Sequence, residues 1–163
     1  MKTKLALVTG SFDPITVGHV DIVRRAAKMF DSVIVLVAQN EEKNYMFSSE
    51  ERTEIARVAV SDISNVTVES WNGYVADFAR ERGASAFVRG IRDGNDVEYE
   101  KFMANKNYEL CGIDTVMLFA KPEYRSVSST AVREALRSGE GAENLMTASV
   151  FEKARGFLEL HKM

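Results

Sequence analysis

The chain alternates between short apolar bursts and longer stretches with helical spacing. Runs rich in β-branched residues occur at "KLALVT" up to Thr9, "SVIVLVA" around Val35, "VTVES" from Val66, "SAFVRG" up to Gly90 and "DTVMLFA" around Met117. Nearly continuous apolar runs of this length predict strands buried on both faces, the pattern of a parallel sheet. Between them, "HVDIVRRAAKMF" places Val20, Val23, Ala27 and Phe30 on one side of a helix and Arg24, Arg25 and Lys28 largely on the other. "SSEERTEIARVAV" opens with Ser48 and Glu51 at capping-box spacing, which marks a helix start. "YVADFARERG" and "DVEYEKFMANKNYELCG" end on Gly83 and Gly112, residues suited to close a helix. "SSTAVREALRSG" predicts a short helix ahead of Gly139, "RSGEGAEN" a loop, and Thr147 to His161 a last helix.

Five strands alternating with helices predict a doubly wound five-stranded parallel α/β sheet with a C-terminal helix. At 163 residues and 45% hydrophobic, the chain suits one core, so residues 1–163 are expected to form a single domain. The formal charge of -3 argues against a nucleic acid backbone as the main partner. One cysteine, Cys111, rules out an internal disulfide, and with no signal-peptide pattern the expected setting is reducing and cytoplasmic. No apolar run is long enough to span a bilayer, so no membrane partner is expected.

Ligands of such sheets bind beyond the carboxyl ends of the strands. After the first strand comes "GSFDPITVGH", in which Gly10, Pro14 and Gly18 shape a turn and His19 enters the first turn of a helix. Unpaired helix N–H groups favour an anion there, and His19 can add a hydrogen bond; a plain turn with a capping histidine fits the same residues. Arg89 and Arg92 flank Gly90 after the fourth strand and can converge on one polyphosphate, or be tied to Asp93, Asp96 or Glu98. Ser128, Ser129 and Thr130 open a helix after the fifth strand, where hydroxyls hold phosphates or cap. Lys43 lies in a polar loop and Glu100 one helical turn after Asp96; alone, each reads as a solvated surface charge. Cys111 reads as a packing residue, and two histidines with one cysteine offer no metal-ligand spacing. Three weak phosphate sites at one sheet edge together imply a nucleotide.

"GSFDPITVGH" resembles the GxFDPxxxGH-type signature of the nucleotidyltransferase superfamily, and its "TVGH" the form found in phosphopantetheine adenylyltransferases. "RGIR", "DVEYE" and "VSSTAVRE" match further segments of that family in order and spacing, from about Leu5 to Arg137. The resemblance implies a Rossmann-like nucleotidyltransferase fold and transfer of the adenylyl group of ATP to 4'-phosphopantetheine, giving dephospho-coenzyme A and pyrophosphate. It implies Mg2+ carried with ATP, a homohexamer, and coenzyme A as a further ligand. By position, His19, Ser11, Lys43 and Arg92 are the implied catalytic residues. Ser11, Phe12, His19, Gly90, Ile91, Arg92 and Glu100 are implied at the ATP site, together with Tyr124, Arg125, Ser126, Val127, Ser128, Ser129 and Thr130. Ser11, Lys43, Val75, Arg89 and Asn107 are implied at the pantetheine substrate. Tyr74-Val75, Gly94 and Ser126 depart from the commonest family residues, at positions that bear on the pantetheine pocket and the base contacts. Two rivals remain: a transferase for another phosphorylated acceptor on this scaffold, against which Thr16 counts, and a nucleotide-sensing domain without catalysis.

Overall fold

The computed structural model describes residues 2–163. In chain order the elements are β1 (Leu5–Gly10), α1 (Val17–Met29), β2 (Ser32–Gln39), α2 (Ser49–Val60), β3 (Val66–Asn72), α3 (Val75–Arg82), β4 (Ala86–Ile91), α4 (Gly94–Cys111), β5 (Thr115–Phe119), α5 (Ser129–Ser138) and α6 (Ala148–His161). A single 3-10 turn, Pro122–Tyr124, precedes α5. All strand pairs are parallel in the order β3-β2-β1-β4-β5. The strand order reverses between β1 and β4, which is where such sheets bind ligands.

The pleat sorts the apolar side chains onto two faces. Val33, Val35 and Val37 of β2 join Ala6, Val8 and Val88 in a core with Val23, Ile55, Val132 and Val150 of α1, α2, α5 and α6. Leu7, Ile34, Leu36 and Phe87 point the other way, onto Phe78 and Ala79 of α3. Burial on both faces holds for the middle strands but not for the edges: β3 and β5 are only partly buried, because each has one strand neighbour and one open side. The expected helix boundaries at Ser48, Gly83, Gly112 and Gly139 are where α2 starts and α3, α4 and α5 stop, the three glycines all in the left-handed conformation. Helix α4 is the exception to amphipathic packing, since its one buried residue is Glu100.

Close packing at the reversal point depends on Gly90. A Cβ there would meet Ile22 Cγ1 of α1 at 2.9 Å, inside contact distance. Gly90→Ala is expected to destabilise the fold by about 1–3 kcal/mol in denaturant titrations. The cost should shrink in an Ile22→Ala background, and additive costs would show that the two residues do not oppose each other.

Candidate active site

A cleft of about 360 Å³ opens at the carboxyl ends of β1 and β4, between the starts of α1 and α5. Its floor is the turn from Gly10 to Thr16. A Cβ on Gly10 would lie 3.1 to 3.3 Å from the Phe12 ring, so a side chain there would push that ring off the strand end by a few tenths of an ångström. Phe12 itself is buried and takes φ 48, a left-handed conformation costing about 1 kcal/mol or more in a residue with a side chain. The sequence suggests that Gly18 makes the turn, yet Gly18 lies inside α1 with ordinary helical backbone, and Phe12 takes the unusual one. The Phe12 ring is held by its burial and by an edge contact with His19, the ring centroids 5.1 Å apart.

Thr16 fixes His19 from two sides. The Thr16 hydroxyl accepts the His19 backbone N–H at 3.2 Å, while the Thr16 backbone N–H donates to His19 Nδ1 at 3.0 Å. A backbone N–H can only donate, so Nδ1 must be the bare nitrogen and the proton of the neutral ring sits on Nε2. Burial lowers the His19 pKa to about 4, aided by the charges of Arg89 and Arg92. The ring therefore enters the cleft as a neutral donor through Nε2. The sequence signal for this arrangement is the spacing of Thr16 and His19, a capping box with histidine in place of the usual Glu or Gln.

The two helix starts offer different resources to an anion. At α1, the N–H of Val17 goes to Leu145, that of His19 to the Thr16 hydroxyl and that of Val20 to the Thr16 carbonyl. Among the described residues only the Gly18 amide of this first turn has no acceptor, so α1 is a poorer anion site than its position suggests. At α5, Ser128 is the cap and accepts from the Ala131 amide, Ser129 Oγ donates to the Pro14 carbonyl, and Thr130 Oγ1 accepts from Arg133. Only the Ser129 hydroxyl is used as a donor, so the Ser128 and Thr130 O–H groups can still donate, and the Ser129 and Thr130 amides remain without acceptors among the described residues. Phosphate oxygens fit such amides.

Arg89 and Arg92 both line the cleft. Glu100 takes Arg89 Nε and Nη2 at 2.8 Å each, and the Thr9 carbonyl takes Nη1. Glu100 is thus a buried counter-ion rather than a solvated helix charge, brought to Arg89 because α4 starts right after β4. Burial works against the charge of Arg89, and the Glu100 hydrogen bonds and charge outweigh it, raising its pKa. A guanidinium has five N–H groups, so Arg89 keeps one free on each terminal nitrogen. Arg92 is more exposed and contacts Asp96, whose carboxylate also takes the Arg92 backbone N–H at 3.0 Å.

Of the other sequence candidates, Ser11, Phe12, Gly90, Tyr124 and Val127 line the cleft with the three residues that open α5. Ile91 is buried behind it, and Arg125 and Ser126 are exposed beside it. Lys43 is exposed in the loop after β2, Val75 starts α3, and Asn107 lies one turn before the end of α4; none of the three is part of the cleft wall. Sequence reasoning missed Asp13, Arg52 and Arg133. Asp13 accepts the Met46 and Phe47 N–H groups at 2.8 and 3.0 Å, and Arg133 donates to the Asp13 carbonyl at 2.9 Å. Arg52, fully buried, donates to the Ser11 and Ala38 carbonyls. A charged residue within a helix carries no sequence mark that separates such a role from exposure.

Residues 7–135 match the cytidylyltransferase-like family. A phosphopantetheine adenylyltransferase of Acidovorax sp. (strain JS42) is 44% identical over 160 residues, 98% of this chain and 94% of the relative. One from Thermobifida fusca (strain YX) is 43% identical over 154 residues, 94% of each chain. A crystal structure of a bifunctional NMN adenylyltransferase/ADP ribose pyrophosphatase from Francisella tularensis, complexed with AMP and Mn ion, shares the fold with TM-score 0.71 at 15% identity. The match covers 97% of this chain and 50% of that structure. With its cleft at the β1–β4 reversal and near-full-length identity to these relatives, the chain belongs to the phosphopantetheine adenylyltransferases of the cytidylyltransferase-like family.

Proposed function

We propose that this enzyme transfers the adenylyl group of ATP to 4'-phosphopantetheine, releasing pyrophosphate and forming dephospho-coenzyme A. The observation that carries this reading is a cleft that holds a neutral, fixed histidine among arginines and open amides, with every carboxylate already engaged. An oxygen of the acceptor phosphate attacks the α-phosphorus of ATP, and the bond from that phosphorus to the bridging oxygen breaks. Pyrophosphate leaves with the electron pair. A phosphate monoester has a second pKa near 6 and is already a dianion at neutral pH, so the nucleophile needs no base. What the site must supply is alignment of two anions and donors for the charge that builds on the α-phosphate. His19 Nε2–H and Arg92 are the donors assigned to that phosphate, with Ser11 beside both substrates. The Gly90 to Arg92 segment, the α5 amides and Tyr124 to Thr130 are assigned to the rest of ATP. Both oxygens of Glu100 lie on Arg89, so its part is to hold that guanidinium.

Lys43 and Arg89 are assigned to the acceptor phosphate, Val75 and Asn107 to the pantetheine arm. Mg2+ belongs to this reading as a companion of ATP. Asp13, Asp96 and Glu100 are the carboxylates of the cleft, each is hydrogen-bonded to protein donors, and no cation-binding cluster occurs among the described residues. That donor set fits an ion held by phosphate oxygens and water, where it neutralises phosphate charge. Coenzyme A, as a relative of the product, is a candidate ligand of the same cleft. No described helix is long and apolar enough to cross a membrane, and the proposed setting is the cytoplasm. A homohexamer is supported by the apolar side chains α4 leaves uncovered, Tyr99, Phe102, Tyr108 and Leu110.

The reaction is tested by pyrophosphate release from Mg-ATP with a panel of phosphorylated acceptors. Release with 4'-phosphopantetheine alone is the expected result; release with nicotinate mononucleotide or a polyol phosphate instead would name a different transferase. His19→Ala should lower turnover about 10²–10³-fold, the scale for one transition-state donor, with ATP affinity and the unfolding midpoint little changed. Turnover within a few-fold of wild type would leave His19 a structural residue. In the free protein, the His19 ring protons should titrate in NMR near pH 4 and stay flat from pH 5.5 to 8. Because its folded pKa lies below the unfolded value of 6.5, its contribution to stability is complete above pH 6.5 and is lost as pH falls toward 4. Light scattering on the purified protein should give six times the chain mass.

A further inference from the structure

The loop from Asn40 to Phe47, which carries Lys43, is held by more than its position at the end of β2 would provide. The amides of Met46 and Phe47 go to the Asp13 carboxylate, and the Lys43 amide goes to the Asn40 carbonyl at 3.0 Å. The Glu42 amide donates to the Asn40 side chain, and the Asn40 amide donates to the Tyr45 hydroxyl at 2.9 Å. Tyr45 in turn lies over the guanidinium of Arg52, with Cζ 3.9 Å from the ring centroid. Arg52 has zero exposure and no carboxylate in contact.

Arg52 reaches three segments at once. Nη1 donates to the Ser11 carbonyl at 2.7 Å and the Ala38 carbonyl at 3.1 Å, and Nη2 donates to the Gln39 side chain. Its Nε has no partner among the described residues. A fully buried cation with an idle N–H is expensive to keep, and burial lowers its pKa from the ordinary arginine value. A neutral core residue would fill the same volume at less cost. What only a planar fork can do is fix the end of β1, the end of β2 and an aromatic ring in one geometry. Those are the segment carrying Ser11, the root of the acceptor loop, and Tyr45 within that loop.

We propose that Arg52, acting through the Tyr45 ring, is a positioning residue that sets the acceptor loop and with it Lys43. It rests on the adenylyl transfer proposed above. Arg52 is fully buried and does not line the cleft. Its effect is on how the acceptor is held, and ATP binding, which draws on α1, β4 and α5, does not depend on it through this loop.

The test uses the whole enzyme with Tyr45→Ala, Tyr45→Phe, Lys43→Ala and the Tyr45→Ala/Lys43→Ala double variant. Wild-type turnover of 4'-phosphopantetheine reports on the reaction itself, separately from the loop. Tyr45→Ala should raise KM for 4'-phosphopantetheine about tenfold and leave KM for ATP within about twofold, a split that separates acceptor placement from general damage. Tyr45→Phe keeps the stacked ring and should recover most of the loss. In the Lys43→Ala background, Tyr45→Ala should add little, because the two act as one unit. Additive effects, or equal rises in both KM values, would overturn the proposal. Hydrogen exchange gives a readout independent of activity: Tyr45→Ala should speed exchange of the Asn40 and Lys43 amides about tenfold or more while α2 stays protected. Unchanged exchange in the loop would overturn the proposal whatever the enzyme's acceptor proves to be. Arg52→Lys keeps the charge and loses the fork; it should show the same KM split, and a variant that unfolds leaves the Tyr45 series to decide.

Discussion

A buried loop must find partners for its own backbone, and that requirement organises this molecule. Phe12, Asp13, Pro14 and Ile15 are buried and Ser11 partly so, all outside the strands and helices, and only Thr16, the cap of α1, has its carbonyl taken up by a helix. The carbonyl of Ser11 takes Arg52 from α2, that of Asp13 takes Arg133 from α5, and that of Pro14 takes the Ser129 hydroxyl. The Thr16 amide, left over at the other end, takes the His19 ring. Each of these bonds brings another element to the turn. An unsatisfied buried carbonyl or amide costs about 1–3 kcal/mol, so the arrangement is imposed by folding itself rather than added to it. The cleft is what remains between elements drawn to one loop.

The same economy explains the state of His19. A histidine that must accept a backbone N–H cannot be protonated at that nitrogen without breaking the bond, and two arginines nearby add to the cost of a charge. The consequence is a donor of fixed direction that stays neutral across the physiological range. For a reaction in which negative charge accumulates on a phosphate, a preset neutral donor has an advantage over a mobile cation. It needs no reorganisation when the charge appears, and it does not titrate away.

Much of this was legible in the sequence, and the parts that were not share a physical cause. The strands, their parallel arrangement and the glycine stops of α3, α4 and α5 follow from local patterns, because β-branched runs and left-handed caps are short-range properties. The edge strands were over-read as doubly buried, since a run such as "VTVES" does not say how many neighbours it will have. Phe12 was not identified as the strained residue because glycine is the usual bearer of a positive φ, and only the close approach of its ring to Gly10 reveals why it bends. Glu100 read as solvated because its partner Arg89 is on another element; a helix position alone cannot distinguish a counter-ion from a surface charge. Lys43, Val75 and Asn107 come from likeness to a family alone, because no local pattern marks them; they lie on the loop after β2, on α3 and on α4, outside the cleft wall.

Three arginines, Arg89, Arg92 and Arg133, and three carboxylates, Asp13, Asp96 and Glu100, line the cleft, so its formal charges cancel. An anionic substrate is therefore not drawn in by bulk positive charge, which agrees with a chain of net charge -3. What the cleft presents is directed N–H groups: the two that Arg89 keeps after serving Glu100 and Thr9, the α5 amides, and His19 Nε2. Directed donors discriminate by geometry where a charged surface would accept any polyanion. The carboxylates are necessary to that selectivity because they hold the arginines in one orientation, and stripping Glu100 from Arg89 would leave a partly buried cation unpaired and no longer oriented. A site that must bring two phosphates together gains from this neutrality. The attraction each substrate feels is tied to its correct pose, and neither is held so tightly by charge alone that product cannot leave.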